Sequence, residues 1–352
     1  MRGGNSRSES EDGQGASLDG RLRGLRSGGT ARSSTRWFVW LVGAALLGGV
    51  VLVAMRFSEA EEFARLAERA RPRWLALAVL LQAATYLAEG EIWRTVVRAG
   101  HSAIAVPRAY GLSVAKLFMD QTVPTGGVSG TILYVEGLQR LGVPRAVALA
   151  GVVVSTFSYY AAYALCLALA IVYAATMGDL IGATTGVGVV FLIVSTVFAV
   201  VVLLHSGAEP GPVASRLARV PFLRGALRLL QQADPSVAHA PRVLARAILW
   251  QLAIVCLDAG TIWAALRAVG AATSTDAVFT SYMFSSLFRT LSFVPGGLGT
   301  FEAASVFMLR SRGVSVSAAL SATLIFRGLS FWLPMIPGML CARRLTLHGQ
   351  RR

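Results

Sequence analysis

Val294-Pro295-Gly296-Gly297-Leu298-Gly299-Thr300-Phe301-Glu302 separates two apolar helical runs, and its reading decides the rest of the chain. Proline lacks an N–H and clashes with the preceding turn, while glycine pays the largest backbone entropy, so this stretch cannot continue a helix. The runs on either side are apolar enough to lie in a membrane. Freed N–H and C=O groups at that depth are tolerated only where packed protein or a wet cavity satisfies them. The break therefore marks a site walled off from lipid tails.

A second break lies upstream at Val123-Pro124-Thr125-Gly126-Gly127-Val128-Ser129-Gly130, offset by 294 − 123 = 171 positions. Sliding the chain by that offset pairs Val123, Pro124, Gly126, Val135, Leu138, Gly142, Val143, Ala148 and Leu149 with identical residues, nine in 27 positions. The shared Pro and Gly, with the Gly-Val pair that follows each, point to a duplication of one fold.

Hydrophobic residues make up 55% of the 352, and several runs exceed the roughly 20 residues that cross a bilayer, so the expectation is an all-α polytopic membrane protein. That leaves no room for a separate soluble enzyme domain. The net charge of +15 comes almost wholly from arginine in the N-terminal tail and in loops between apolar runs. Such charges read as positive-inside anchors, and no nucleic-acid surface is expected. Lys116 is the single lysine, so a phosphate loop elsewhere is excluded. Cys166, Cys256 and Cys341 lie in apolar segments at no metal-ligand spacing, and neither a disulfide framework, a metal nor a cofactor is expected.

Residues 1–35 are rich in Ser, Gly and Arg and read as a disordered basic cytoplasmic tail. The first span is Trp37 to Met55, too long for a secretory signal; Ser58 to Arg73 follows as an amphipathic surface helix. Trp74 to about Val97 forms the second span, with Glu89 and Glu91 read as interfacial. Pro107 to Leu138 is the first broken region, a pair of half-helices. Pro144 to about Met177, rich in tyrosine, and Leu180 to His205 are spans, the latter with Gly182 and Gly186 spaced for close packing. The loop 206–246 carries the Arg excess of a cytoplasmic segment and contains a candidate amphipathic helix from Ala214 to Leu230. Ala247 to about Val269 is the fifth span, 277–310 the second broken region, and Val316 to about Cys341 the last span.

The expected domain is thus 36–345, with repeat halves about 74–205 and 243–345 and a cytoplasmic tail at 346–352. About six full spans plus two broken or re-entrant regions keep both termini in the cytoplasm. Three spans then separate the breaks, which makes the halves an inverted repeat, a recurring plan of secondary transporters. Full crossing by each broken region would instead give eight crossings and parallel halves, with the Arg-rich loop outside.

Helices starting just after Gly130 and Gly299 would aim free N–H groups and their positive dipole ends into the site, which suits a lipid phosphate. Candidate substrate-binding residues are Pro124, Gly126, Gly127, Ser129, Arg289, Pro295, Gly296, Gly297, Gly299, Glu302 and Arg327, with Lys116, Asp120 and Asp258 as a second tier. Charges at the bilayer centre cost roughly 2.5–3.5 kcal/mol even on the lenient insertion scale, so Asp258, Arg289, Glu302 and Arg327 require either pairing or a ligand. Glu302 and Arg327 are expected to pair. Lys116 reads as snorkelling toward the interface, and Glu136 with Arg140 as a wet pair. No catalytic residue is assigned, since no nucleophile elbow, metalloprotease pair or nucleotide fingerprint stands in suitable context.

The stretch 294–302, followed by Gly313-Val314 and by the Arg327 segment ending Leu333-Pro334-Met335-Ile336-Pro337-Gly338, resembles the lysylphosphatidylglycerol synthase transmembrane-region family, also called the flippase-like domain family. Val123 to Ser129 with Leu141-Gly142-Val143-Pro144 is similar to that family's earlier motif, and the resemblance runs over about residues 37–345. Many relatives carry an acidic residue and an Arg soon after the first Pro-Gly, where this chain has Ser129 and Thr131. The resemblance implies translocation of an anionic or modified phospholipid or glycolipid between leaflets of the cell membrane, the inner membrane in a two-membrane cell. It does not imply lipid synthesis, because the family's aminoacyl transfer belongs to a separate C-terminal domain. A membrane-embedded transferase acting on a lipid or polyprenyl carrier, and a non-catalytic partner of a separately encoded lipid-modifying enzyme, are the alternatives.

Overall fold

The computed structural model describes residues 71–122, 128–176, 182–206, 229–292 and 294–347, with only the backbone of 182–185, 295 and 344–347. The expected first span at 37–55, the tails, most of the 58–73 helix, the Pro-Gly-Gly of the first break and the 207–228 part of the Arg-rich loop lie outside the described residues.

Every described element is helical. The first half contains α1 (Pro72–Ala99), α2 (Val106–Thr122), α3 (Val128–Arg140) and α4 (Arg145–Thr176). After α5 (Gly182–Leu204) and the single turn α6 (Pro235–Ala238), a second half follows: α7 (Pro241–Ala268), α8 (Thr275–Leu291), α9 (Thr300–Ser311) and α10 (Val316–Arg327). A π-helical segment, Gly328–Trp332, carries α10 directly into α11 (Leu333–Leu347). Both halves run long helix, short helix, break, short helix, long helix. Pro72 and Pro241 sit in the first turns of the two leading helices, where a missing N–H costs nothing.

The leading helices pack antiparallel. The N–H of Arg71, before α1, donates to the carbonyl of Ala268 at the end of α7 (2.9 Å), and midway Thr85 of α1 donates to Asp258 of α7 (3.2 Å). Gly151 of α4 meets the Trp93 ring of α1, while Gly100 after α1 meets Val147 near the start of α4, so α4 runs back along α1. The short helices fold into hairpins: the Tyr134 hydroxyl of α3 donates to the carbonyl of Ala109 in α2 (3.4 Å). Trp93 stacks on Tyr134 at 4.1 Å beneath this hairpin. In the second half, Phe301 of α9 stacks on Phe326 of α10, and the Ser305 and Thr323 hydroxyls bond at 2.8 Å.

These contacts define two ends of the bundle. One, the upper end, gathers the starts of α1, α8 and α10 with the ends of α4, α7 and α9. The other gathers the end of α1 and the start of α2, the end of α3 and the start of α4, and the start of α7. The hairpin α2–α3 starts and finishes at the lower end and α8–α9 at the upper, so their tips point toward each other.

Among the described residues, five helical runs are long and apolar enough to cross a membrane: Pro72–Ala99, Arg145–Thr176, Gly186–Leu204, Pro241–Ala268 and Val316–Arg343. On α5 the outward side chains include Val190, Ile193, Val194 and Val197, each more than half exposed and therefore suited to lipid. Two expectations change. The fifth span starts at Pro241, ahead of Ala247, because proline initiates the helix. Gly186 faces open space and so does not mediate close packing; on α5 it is Gly188 that approaches a neighbour, Ile171.

Candidate functional site

The second break is held by glycines in the left-handed region: Gly296 (φ 63°), Gly297 (φ 62°) and Gly299 (φ 82°). Cβ atoms would stand 2.2 Å from the Phe331 ring at Gly296 and 2.3 Å from Arg289 Cγ at Gly297, so conformation and space both demand glycine there. Protein groups satisfy the freed backbone. Gly299 N–H donates to Glu302 Oε2 (2.7 Å), Arg327 Nη2 to the Gly296 carbonyl (2.9 Å), and the Thr300 hydroxyl to the Gly297 carbonyl (2.9 Å).

Glu302 and Arg327 are 1% and 4% exposed, and Arg327 Nε donates to Glu302 Oε1 at 2.6 Å. The guanidinium also lies over the rings of Phe331 (4.6 Å) and Phe301 (5.5 Å). The positive end of α9 is therefore occupied by its own carboxylate. This corrects the expectation of a free anion site after Gly299: a carboxylate in the first turn is itself the anion that the helix dipole favours.

Asp258, midway along α7, accepts from the Tyr282 hydroxyl (2.8 Å), the Thr85 hydroxyl (3.2 Å) and Gln82 Nε2 (3.4 Å). Arg289, in the last turn of α8, lies within electrostatic reach of Asp258, Tyr159, Tyr163 and Tyr282. Among the described residues its guanidinium makes no hydrogen bond or ion pair. Arg327 also feels Arg289, so two cations stand near one another at this tip.

At the first tip, Lys116 is held by carboxylates of its own helix and of α1. Its Nζ lies 3.3 Å from Asp120 and 3.5 Å from Glu89 of α1, with all three side chains about one-fifth exposed. Asp120 Oδ1 accepts the Gly130 N–H at 2.9 Å. The helix α3 begins at Val128, ahead of the expected start after Gly130, so here too an acidic side chain meets the start of the returning helix. The Ser129 hydroxyl donates to the Met119 carbonyl (3.1 Å), which ties α3 to α2. Pro124, Gly126 and Gly127 lie outside the described residues. Pro295 starts the 3₁₀ turn of the second break. Glu136 and Arg140 form the exposed pair that their spacing suggests, at 4.0 Å.

The tips meet through the π-helical segment. Its carbonyls accept from the first half: Tyr86 of α1 donates to the Leu329 carbonyl (2.9 Å) and Gln121 of α2 to that of Ser330 (3.4 Å). Sequence reasoning missed this contact, as it missed Gln82, Thr85 and Tyr282 around Asp258 and Glu89 beside Lys116. The only local hint was polar residues recurring inside apolar helices. Among the described residues no group of three or more His, Cys, Asp or Glu could hold a metal ion.

No curated protein matches the chain. The family described as Lysylphosphatidylglycerol synthase TM region matches residues 40–338, which take in both halves and both breaks. On that match and its apolar helices, the chain is a multi-pass membrane protein that belongs to the lysylphosphatidylglycerol synthase transmembrane-region family.

Proposed function

We propose that this protein translocates a lipid with an anionic headgroup between leaflets, and that its two halves act as an inverted repeat around a central site. One observation carries the reading: equivalent leading helices pack antiparallel, so two broken hairpins approach from opposite ends and meet at mid-bundle. In such an arrangement, exchanging the conformations of the halves exposes one site alternately to each side. Both hairpins are then re-entrant. The lower end, with Arg94, Arg98, Arg140, Arg145, Arg242 and Arg246, faces the cytoplasm by the positive-inside rule.

Within that site, Arg289 is the residue assigned to the headgroup. Its charge has no ion-pair partner among the described residues, whereas Arg327 is already neutralised by Glu302. A desolvated guanidinium gains most from a phosphate that it can bind through two N–H groups. Glu302 and Arg327 then hold the break in shape, and Asp258 with the three tyrosines sets the field around Arg289. The first-tip residues Lys116 and Asp120 serve as the structural counterpart on the cytoplasmic side.

The test is leaflet exchange of headgroup-labelled phosphatidylglycerol and of a zwitterionic lipid in vesicles holding the purified protein. Arg289→Gln is expected to lower anionic-lipid exchange at least tenfold while thermal stability holds. Full exchange by a folded Arg289→Gln protein would remove Arg289 from the path, and absence of exchange by the parent would count against translocation.

A further inference from the structure

A lateral groove of about 750 Å³ lies between the second half of α4 and the upper parts of α7 and α8, outside the Arg289 site. Its walls are largely apolar, among them Leu169, Val172, Cys256 and Phe279, and Leu169 and Val172 are more than half exposed. Tyr173 donates its hydroxyl to Asp276 and bridges α4 to α8 at the upper end. The groove is therefore bridged at that end and open sideways, toward lipid.

Two donors on its wall have no partner. Thr280 is 4% exposed and its hydroxyl makes no hydrogen bond; the indole N–H of Trp263 is likewise buried and unsatisfied. The Thr280 hydroxyl does not donate to the carbonyl one turn back, as those of Ser285 and Thr290 do; Ser286 of the same helix is likewise unsatisfied but does not line the groove. Trp263 stands five residues before the end of α7 and Thr280 five residues after the start of α8, at the same end of the bundle. At 1.5 Å rise per residue both lie about 7.5 Å inside that end. Below the headgroups of a bilayer, the acceptors available to such donors are the ester carbonyls of glycerolipids.

In the first half, the corresponding helices α11 and α2 pack directly against each other. A Cβ at Gly338 of α11 would stand 2.6 Å from the Val114 carbonyl and 2.7 Å from Phe118 Cβ, and one at Gly111 would touch Cys341 Sγ at 3.7 Å. The openness of the upper groove is thus not a general consequence of the helix arrangement.

We propose that this groove binds the ester carbonyl and first segment of one acyl chain of a membrane glycerolipid, with Thr280 and Trp263 as the hydrogen-bond donors. The inference rests on the lipid-translocation reading for its role, as the lateral mouth at the outer leaflet, but not for binding itself. A polyprenyl carrier, which has no ester carbonyl, would leave both donors unsatisfied.

The experiment uses the full chain in nanodiscs with a trace of phosphatidylglycerol that carries a diazirine near the ester end of one acyl chain. After photolysis, adducts are expected on peptides covering 169–176 and 275–280 well above those on lipid-facing 187–200 of α5. Replacing bulk diether phosphatidylglycerol with the diester should lower groove adducts about tenfold, the discrimination expected of one or two hydrogen bonds. Thr280→Val combined with Trp263→Phe should abolish that preference while the protein stays monodisperse. Adducts spread evenly over α5 and the groove, or equal yields in diether and diester discs for the parent, would overturn the proposal without need of any variant. Because adduct formation needs no transport, groove binding without leaflet exchange would sink translocation alone, and exchange without groove adducts would sink this site alone.

Discussion

The two hairpin tips solve one problem with different degrees of closure. Each returning helix meets an acidic side chain at its start, Asp120 at Gly130 and Glu302 at Gly299, and each acid is paired with a base on the same or a neighbouring helix. At the second tip the pair is nearly dry, gripped by two backbone bonds and two aromatic rings. At the first tip a lysine is shared between two carboxylates that are about one-fifth exposed. A dry pair tolerates no loss of a partner, whereas a wetter cluster can recruit water. The second tip is therefore the rigid one and the first the more adaptable.

The largest effect is expected from Arg327→Ala. It leaves Glu302 buried without its cation and should cost about 3–5 kcal/mol, seen as a large fall in the thermal midpoint in detergent. Glu302→Leu with Arg327→Met should recover most of that loss, since an apolar pair avoids the desolvation cost. Lys116→Ala is expected to cost less, about 1–3 kcal/mol by the same measurement, because its carboxylates can be hydrated. Equal losses at the two tips would erase the distinction between them.

Gly296→Ala sharpens the comparison at the backbone level. A left-handed backbone costs a non-glycine residue roughly 1–2 kcal/mol before any clash with Phe331 is counted. Gly186→Ala, which faces open space, should instead leave the midpoint unchanged or raise it slightly. Tyr86→Phe removes one hydrogen bond from the π-helical segment and should cost about 0.5–1.5 kcal/mol. Smallest of all, Glu136→Ala should shift the midpoint by less than about 0.5 kcal/mol, since that pair is exposed.

Much of this architecture was legible in the residues because backbone chemistry is local. Pro295 and its glycines forbid helix wherever they stand, and the 171-residue offset shows the same punctuation twice. The Glu302–Arg327 pair was legible too, since buried charges must find partners and few were on offer. The three donors on Asp258 were not. Gln82 and Thr85 lie more than 170 positions away in sequence, and nothing in a Gln or Thr inside an apolar run says which helix it will face.

By itself, the sequence determined that the chain is helical, membrane-bound and twice interrupted by proline and glycine, since apolar length, proline and glycine act through neighbouring residues alone. Only the tertiary structure decided that the positive end of α9 is filled by Glu302, that Lys116 is shared by two acids, and that a lateral groove stands open between α4, α7 and α8. These depend on which side chains arrive from distant helices and how closely backbones approach, and packing alone sets both.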